Sequence, residues 1–347
     1  MATKTTIHDI ASFLNITAST VSRALNNNPR ISENTRKAVL KAAKQLNYQP
    51  NNIAAALRNG KSNLIGVIVP TADRAFFASV VRGIEEVANE LDYKIIICQS
   101  YDDYNKEIQT VEALANARVD GVIASIGKET LNFEHYNALL NKGIPIVLFD
   151  RTTDQLAVNQ VMIDDYEGAY EAVSHLISEG CKRIAHFTSP IKISIYKERL
   201  RGYTDALKDH GVPFDQDLVL ESNLQLEDGR QSMLQLLELR EIPDAIFSAS
   251  DYGAMGAMQV LKEKNIKIPQ QVALVGFANE PFTSFTDPTL TTVDQLSLTM
   301  GHVTGKLFFD QLNSQDKNGP QRMQKTILKP KLIVRQSSLR SSLEGSY

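Results

Sequence analysis

The apolar positions at the start of the chain repeat with the period of an α-helix. Between Thr6 and Asn26 they fit two short helices around a tight turn, and they are Ile10, Leu14, Ile16, Val21 and Leu25. Asn15 stands at the turn, where the backbone often needs the left-handed conformation that Asn tolerates. Thr17 is placed to cap the second helix. The segment therefore predicts a helix-turn-helix, an arrangement that binds DNA.

The second predicted helix has a polar outer face made of small residues and one arginine. This face carries Ala18, Ser19, Ser22, Arg23 and Asn26. Small side chains let a helix enter the major groove, and an arginine can bind guanine through two hydrogen bonds worth roughly 1–3 kcal/mol of discrimination. An ordinary helical hairpin with a solvated face has the same pattern, so both interpretations remain open on this segment alone.

A third amphipathic helix is predicted from Ser32, as its N-cap, to Asn47, and Pro50 ends it. Residues 51–60 are rich in Ala and span about two turns, a length at which helices are marginal in water. Our hypothesis is that this segment folds only when paired with a second copy over DNA, where Leu57 enters the minor groove as an apolar wedge. A simple linker would have the same composition.

From Leu64 onwards, short apolar runs alternate with helical stretches, a pattern typical of β–α units around a parallel sheet. The first series has strands at 64–69, 94–98, 121–125 and 145–150 and helices near 77–91, 105–117 and 132–141. The second has strands near 160–163, 184–187, 245–249 and 273–276 and helices near 166–179, 196–210, 226–237 and 253–264. A helix near 296–313 and strands near 324–328 and 331–335 are expected to cross back between the halves. Two such halves enclose a ligand cleft.

Charge is distributed unevenly along the chain. Residues 1–60 contain eight Lys and Arg against two acidic residues, a net charge of +6, whereas the whole chain carries −3. A basic head on an acidic body is typical of a DNA-binding module joined to a second function. Catalytic and metal motifs are missing, the two Cys do not form C-x-x-C, and no signal segment or membrane span is evident. These patterns speak against an enzyme. They favour a cytoplasmic protein over a membrane protein or a periplasmic solute-binding protein.

Several motifs distributed over the chain together carry a resemblance. They are T-I-H-D-I-A, T-A-S-T-V-S-R-A-L-N, S-E-N-T-R-K-A-V, L-N-Y-Q-P-N, I-G-V-I-V-P, F-S-A-S-D-Y-G-A-M-G-A and D-P-T-L-T-T-V-D-Q. In these motifs the chain resembles the LacI/GalR family of bacterial transcription regulators. The resemblance implies a homodimeric repressor with a small all-α helix-turn-helix head and an α/β two-lobed, periplasmic-binding-protein-like (type I) domain. It also implies a small effector, sugar-like or carbohydrate-related, between the lobes and no cofactor.

The resemblance also implies which residues contact a pseudo-palindromic operator. Ala18, Ser19 and Arg23 match base-reading positions, and Thr6, Ser22 and Asn26 match positions near the phosphates. Leu57 matches the intercalating leucine, with Ala54 and Arg58 as its minor-groove neighbours, which implies a central C-G step. Ala18 and Ser19 are shorter than in other members, so the outer operator bases are not predicted.

For the effector, the resemblance implies Phe76, Phe77, Asp150, Arg199, Ser250 and Asp251. Asp150 and Ser250 have independent support, because ligands bind at the carboxyl ends of strands in open α/β sheets. The alternatives are that the two phenylalanines belong to the core, that Asp150 caps a helix and that Arg199 forms a surface ion pair.

One departure from the family pattern concerns the effector. Many sugar-binding members carry Asp after G-F or G-Y, and this chain has Ala278, which cannot accept hydrogen bonds from hydroxyl groups through its side chain. Either Asn279 or Glu280 replaces that carboxylate, or the effector is charged, phosphorylated or an oligosaccharide. Lys128, Lys192 and Lys197 are candidate cationic groups for such a ligand.

The boundaries that follow are 1–50 for the DNA-binding domain, 51–62 for a hinge helix and linker, 63–340 for the effector and dimerisation domain, and 341–347 for a tail. The first lobe is expected at about 63–160 and 296–323, and the second at about 161–292 and 324–340. The polar tail lacks the apolar heptads of a tetramerising coiled coil, which favours a dimer. Effector binding would change operator affinity through the hinge helices, as inducer or as corepressor.

Overall fold

The computed structural model describes residues 5–48, 61–190, 192–314 and 323–340. The chain divides into two compact units, Met1–Ser62 and Asn63–Tyr347. The predicted hinge helix, including Ala54, Leu57 and Arg58, and the predicted tail at 341–347 lie outside the described residues.

In residues 5–48 the first unit has three helices, α1 (Ile7–Leu14), α2 (Ala18–Leu25) and α3 (Glu33–Gln45). Asn15 ends α1 in the left-handed conformation, with φ 53°, and Thr17 caps α2 by accepting a hydrogen bond from the Thr20 amide, as the sequence predicts. Ser32 caps α3 in the same way. Ile10, Val21 and Val39 are fully buried between the helices, so one small core fixes the direction of the outer face of α2.

The second unit contains two six-stranded sheets, each covered by helices on both faces. The strands are β1 (Leu64–Val69), β2 (Lys94–Gln99), β3 (Gly121–Ala124), β4 (Ile146–Phe149), β5 (Asn159–Ile163), β6 (Ile184–Thr188), β7 (Val219–Glu221), β8 (Ala245–Ser248), β9 (Ala273–Phe277), β10 (Thr291–Asp294), β11 (Lys325–Leu328) and β12 (Lys331–Ile333). The helices are α4 (Ala75–Glu90), α5 (Tyr104–Asn116), α6 (Glu134–Asn141), α7 (Asp165–Ser178), α8 (Ser194–Asp209), α9 (Leu226–Leu237), α10 (Asp251–Glu263) and α11 (Ser297–Ser314).

Each sheet defines one lobe. The first has the order β11-β5-β4-β3-β1-β2, and its paired strands are all parallel. The second has the order β12-β10-β9-β8-β6-β7, in which β12 alone runs antiparallel to its neighbour. Within the described residues the chain passes between the lobes three times, between β5 and α7, between β10 and α11, and between β11 and β12. These crossings place the carboxyl ends of the two parallel sheets at a common cleft.

Two strands lie in a different lobe from the one that the sequence predicts. The strand at 160–163, expected to begin the second series, is β5 and pairs with β4 in the first sheet, Val147 opposite Asn159. The strand at 324–328, expected in the second lobe, is β11 and pairs with β5. Both assignments were wrong because the local sequence pattern does not show which strand each one pairs with in the folded chain.

His186 is a fully buried histidine in the core of the second lobe. Its ring stacks between Phe247 and Tyr203, with centroid distances of 4.9 and 5.0 Å. Its Nδ1 lies 3.0 Å from the Phe247 carbonyl oxygen, and its Nε2 has no hydrogen-bond partner among the described residues. Burial lowers the pKa of His186 from 6.5 to about 4, because a charged imidazole would lose its hydration there.

The buried His186 makes stability depend on pH. Because its pKa is lower in the folded than in the unfolded chain, its contribution is complete above pH 6.5 and decreases as the pH falls towards about 4. Between about pH 7 and pH 5 this loss amounts to roughly 2 kcal/mol in the free energy of unfolding. We expect His186→Phe to remove this part of the pH dependence and the exposed control His8→Gln to retain it, as measured by urea unfolding at both pH values. Equal pH slopes for His186→Phe and the unmodified protein would contradict this assignment.

Candidate nucleic-acid interface and ligand cleft

The outer face of α2 presents the predicted DNA-contacting residues together. Ser19, Arg23 and Asn26 are exposed, and Ala18 and Ser22 are half-buried. The Asn26 Nδ2 donates a hydrogen bond of 2.7 Å to the Ser22 carbonyl oxygen, which orients this side chain at the end of α2. The Arg23 guanidinium has no ion-pair or hydrogen-bond partner among residues 5–48 and is therefore available to a ligand. This face has the size and chemistry that major-groove recognition requires.

Thr6 lies at the N-terminus of α1 and is exposed. Its amide and hydroxyl group both donate to the Asp9 carboxylate, at 2.7 and 2.8 Å, and the Asp9 amide donates back to the Thr6 hydroxyl at 3.4 Å. These bonds lower the pKa of Asp9. A phosphate at this helix terminus would therefore contact the remaining free amides of the first turn rather than the Thr6 amide.

The ligand cleft lies between the lobes, at the carboxyl ends of both parallel sheets. It encloses about 640 Å³ of empty space, including the solvent at its mouth. Of the predicted effector residues, those that line it are Phe76, Phe77, Asp150, Arg199, Ser250 and Glu280. Ala278 also lines it. The structure thus brings together residues that are up to 200 positions apart in the sequence.

Arg199 is the most thoroughly positioned group in the cleft. Its side chain is 4 % exposed, and its Nε donates to the Asp165 carboxylate while its Nη1 donates to the Ala249 carbonyl oxygen, both at 2.8 Å. The guanidinium carbon lies 3.7 Å from the centroid of the Phe277 ring. Burial raises the pKa of Asp165 to about 7, because desolvation outweighs the attraction of Arg199. Arg199 is therefore a buried ion-pair partner with one face turned to the cleft, not a surface residue.

Asp150 ends β4 in the left-handed conformation, with φ 59°, a geometry that Asp tolerates better than most residues. It is buried, and its carboxylate accepts a long hydrogen bond of 3.4 Å from the Ser125 hydroxyl. Burial raises the pKa of Asp150, opposed by the charges of Arg151 and Arg199. Asp150 caps no helix, so its carboxylate can accept hydrogen bonds from a ligand.

Phe76 and Phe77 belong both to the core and to the cleft wall. Their rings make an edge-to-face contact with centroids 5.0 Å apart, and Phe77 also packs on Phe149. Both are nearly buried, so only one edge of this aromatic pair faces the cleft. Ser250 has two roles as well, since its hydroxyl caps α10 by accepting from the Tyr252 amide at 3.3 Å.

Two predicted effector residues, Asp251 and Asn279, do not line the cleft. The fully buried Asp251 accepts hydrogen bonds from the Thr292 hydroxyl at 2.6 Å and from the Glu280 amide at 2.8 Å. Burial raises its pKa to about 7. Asn279 donates to Asp294 at 3.2 Å and accepts from Arg335 at 2.9 Å. Both side chains hold the segment after β9 in place.

The segment after β9 has an unusual backbone at the position where the family pattern has Asp. Ala278 has φ 126°, a conformation that is strained for any residue with a Cβ. The next carboxylate along the chain, Glu280, points towards the other lobe, where it accepts a hydrogen bond of 3.2 Å from the Ala75 amide at the start of α4. Burial raises the pKa of Glu280, and the Arg74 charge and the amides of Ala75 and Phe76 oppose this.

Further polar residues line the cleft that sequence reasoning did not select: Arg74, Asp102, Arg151, Tyr196, Asn223, Gln225 and Gln295. Arg151 donates to Asp102 at 2.5 Å, and this pair lies beside Asp150. Position at a strand end was a usable signal for Arg151, which comes shortly after β4. Gln295 follows β10, a strand that the sequence did not predict, so this signal was missing for it. Arg74, Asp102 and Gln225 lie in loops, where a single sequence offers no such signal.

The three candidate lysines are distributed differently. Lys128 lines the cleft and also an adjoining crevice, which contains Lys192 in the turn before α8. Lys197 is exposed and lines neither space. Of the three, Lys128 and Lys192 are therefore placed to attract an anionic part of a ligand.

The described residues contain neither a candidate metal site nor a candidate membrane span. No three His, Cys, Asp or Glu side chains in that part of the chain are grouped so that they could hold a metal ion. Nor is any helix within it long and apolar enough to cross a membrane.

Comparison with protein families gives two matches that together span most of the chain. Residues 6–51 match the model of bacterial regulatory proteins of the lacI family, and residues 62–331 match the model of periplasmic binding proteins and the sugar-binding domain of the LacI family. The HTH-type transcriptional regulator DegA of Bacillus subtilis (strain 168) is 33 % identical over 339 residues, which are 96 % of this chain and 98 % of DegA.

Solved structures show the same architecture. The transcriptional regulator CelR in complex with cellobiose is 26 % identical, with a TM-score of 0.73, over 96 % of this chain and all of that one. The lac repressor dimer bound to operator and the anti-inducer ONPF is 24 % identical, with a TM-score of 0.84, over 97 % of this chain and all of that one. The fold class predicted from the sequence is confirmed. The chain belongs to the lacI family of bacterial transcriptional regulators.

Proposed function

We propose that the protein is a homodimeric repressor that binds a pseudo-palindromic operator through α2. A small effector in the cleft lowers or raises the affinity of the protein for this operator. The observation that carries the DNA-binding part is the exposed face of α2, on which Arg23 has no partner among residues 5–48. Ser19 and Asn26 flank it with hydrogen-bonding groups, and a packed three-helix core supports it. Thr6 and Ser22 contact phosphates in this proposal, and Ala54, Leu57 and Arg58 of the hinge segment contact the minor groove.

The chemistry of the cleft supports a sugar or a sugar derivative as the effector. The exposed edge of the Phe76 and Phe77 pair gives the wall an apolar part against which the carbon-bound hydrogens of a sugar ring can pack, and Asp150, Arg199 and Ser250 supply acceptors and donors for hydroxyl groups. The cationic side chains of Lys128 and Lys192 at the adjoining crevice accommodate an acidic substituent or a second sugar unit. The transcriptional regulator CelR was solved in complex with cellobiose, which is consistent with a carbohydrate ligand here.

The coupling between the two sites follows from linkage. An effector changes operator affinity only as far as it binds the two states of the protein with different affinities, typically by 1–3 kcal/mol. We propose that closing the cleft shifts the first lobes of the dimer against each other and changes the spacing of the two hinge segments at 51–59. Asn279 and Asp251 contribute by fixing the segment after β9 rather than by binding the effector directly.

The DNA-binding proposal predicts enrichment of a two-fold symmetric site with a central C-G step when pooled random duplexes are selected on the purified protein. Arg23→Ala should weaken the selected site by roughly 1–3 kcal/mol and relax the preference at one base pair of each half-site, because a bidentate contact to guanine is lost. The control Arg30→Ala removes an exposed charge between α2 and α3 and should weaken all duplexes to a similar extent. An unchanged base preference in Arg23→Ala would contradict base reading by this residue.

The effector proposal predicts that a saccharide or sugar phosphate raises the melting temperature of the purified protein in a panel screen, since a ligand of the folded state stabilises it. Arg199→Lys keeps the charge beside Asp165 but loses the planar fork, and should weaken binding at least about tenfold. Arg201→Lys, two residues further along α8 and exposed, is the matched control and should bind normally. Normal binding by Arg199→Lys would exclude this guanidinium as a ligand contact, whatever the outcome for DNA.

A further inference from the structure

Side chains near the mouth of the cleft connect the two lobes directly. Arg74 and Ala75 stand at the start of α4 in the first lobe, and they contact Gln225, Tyr252 and Glu280 of the second lobe. Close by, the Lys128 ammonium group donates to the Asn223 carbonyl oxygen across the cleft at 3.2 Å. Arg74 and Glu280 make most of these interlobe contacts.

The Glu280 carboxylate takes the place of a missing helix cap. α4 has 16 residues, and its N-cap residue Arg74 makes no side-chain capping bond. The free amides of a helix N-terminus carry partial positive charge and favour an anionic acceptor. Glu280 supplies this acceptor from the other lobe, 3.2 Å from the Ala75 amide, with the Phe76 amide also within its reach.

The position of Glu280 is fixed from within its own lobe. Its amide donates to Asp251, which is itself held by the Thr292 hydroxyl. The preceding Asn279 is bonded to Arg335 and Asp294. The carboxylate is therefore attached to a rigid segment, so separation of the lobes would withdraw it from α4.

Arg74 completes the connection. Its guanidinium carbon lies 3.6 Å from the centroid of the Tyr252 ring, a stacking contact, and its Nη2 donates to the Gln225 side-chain oxygen at 2.5 Å. Its charge also attracts Glu280. Three residues of the second lobe are thus bound by one turn of the first.

We propose that Arg74 and Glu280 form an interlobe clasp. The clasp stabilises the closed cleft even without an effector, and effector binding adds to this stabilisation. In this proposal Glu280 does not replace the carboxylate missing at Ala278, since it serves α4 and not a ligand hydroxyl. The Glu280 side chain is then a determinant of the balance between open and closed cleft, beyond its place in the cleft wall.

Hydrogen exchange of the full-length protein, with no ligand added, tests the clasp. In Glu280→Ala we expect amides at 75–77 in the first lobe and at 223–228 in the second to exchange at least about tenfold faster, because these two segments separate from each other when the clasp is lost. Glu280→Gln, which keeps a neutral acceptor, should give a smaller effect, and Arg74→Lys, which loses the stacked fork, should affect the same two peptides. Glu241→Ala removes an exposed glutamate of the second lobe and should change neither.

Faster exchange at 75–77 alone would show a local helix cap and overturn the clasp. Combining Arg74→Lys with Glu280→Ala should accelerate exchange by less than the product of the two single effects, because residues that interact with each other do not contribute independently. Fully additive changes in the free energy of opening would contradict a clasp in which the two residues act together. If Glu280→Ala fails to fold, as judged by circular dichroism, Arg74→Lys and Tyr252→Ala carry the same test.

Discussion

The ion pair between Arg199 and Asp165 is the constraint around which the second unit is arranged. Both side chains are about 95 % buried, and removing either would leave a charge without compensation, which typically costs 3–5 kcal/mol. Asp165 is the first residue of α7, directly after the chain has left the first sheet, and Arg199 comes from α8 of the second lobe. The pair therefore ties the ligand-facing guanidinium to the point where the chain crosses between the lobes. The pKa of Asp165, raised to about 7, shows that the desolvation of this carboxylate outweighs the attraction of Arg199.

The period of the apolar residues was sufficient to predict most helices and strands, because this period depends on which side of each helix or strand is buried. It failed where an element depends on a distant partner. β5 and β11 join the first sheet by pairing with β4 and with β5, partners that a local pattern does not show. The two short strands β7 and β10, which were not predicted, pair with β6 and β9 in the second sheet. Residues 49–60 lie outside the described part of the chain, so the predicted hinge segment remains a prediction.

In the candidate cleft, too, some residues could be predicted from the sequence, whereas others depend on distant partners. Asp150 and Ser250 could be selected in advance because strand ends and a family resemblance both point to them, and Arg199, which lies on α8, because the resemblance points to it. Asp251 was selected from the same resemblance and Asn279 as a replacement for the carboxylate missing at Ala278. Their side chains are instead bonded to Thr292 and Arg335, residues that only the folded chain brings near. Arg74 could not be selected, because its partners Gln225 and Tyr252 are more than 150 positions away. A single sequence identifies which groups reach the cleft better than it identifies where each one points.

The helix that receives the Glu280 carboxylate is also the helix that carries the aromatic wall, and this connects closure to the first lobe as a whole. α4 packs on α11 so closely that a Cβ on Gly301 would lie 2.2 Å from the Val80 carbonyl oxygen, and one on Gly83 would lie 2.6 Å from that of Leu298. Such backbone contact leaves little freedom for α4 to move independently, since packed interiors transmit strain rather than absorb it. α11 in turn begins directly after a crossing between the lobes. A displacement of α4 by a ligand or by loss of the clasp therefore shifts both helices together, and the energy of a few interlobe contacts is comparable to the 1–3 kcal/mol that couples two sites in an allosteric protein.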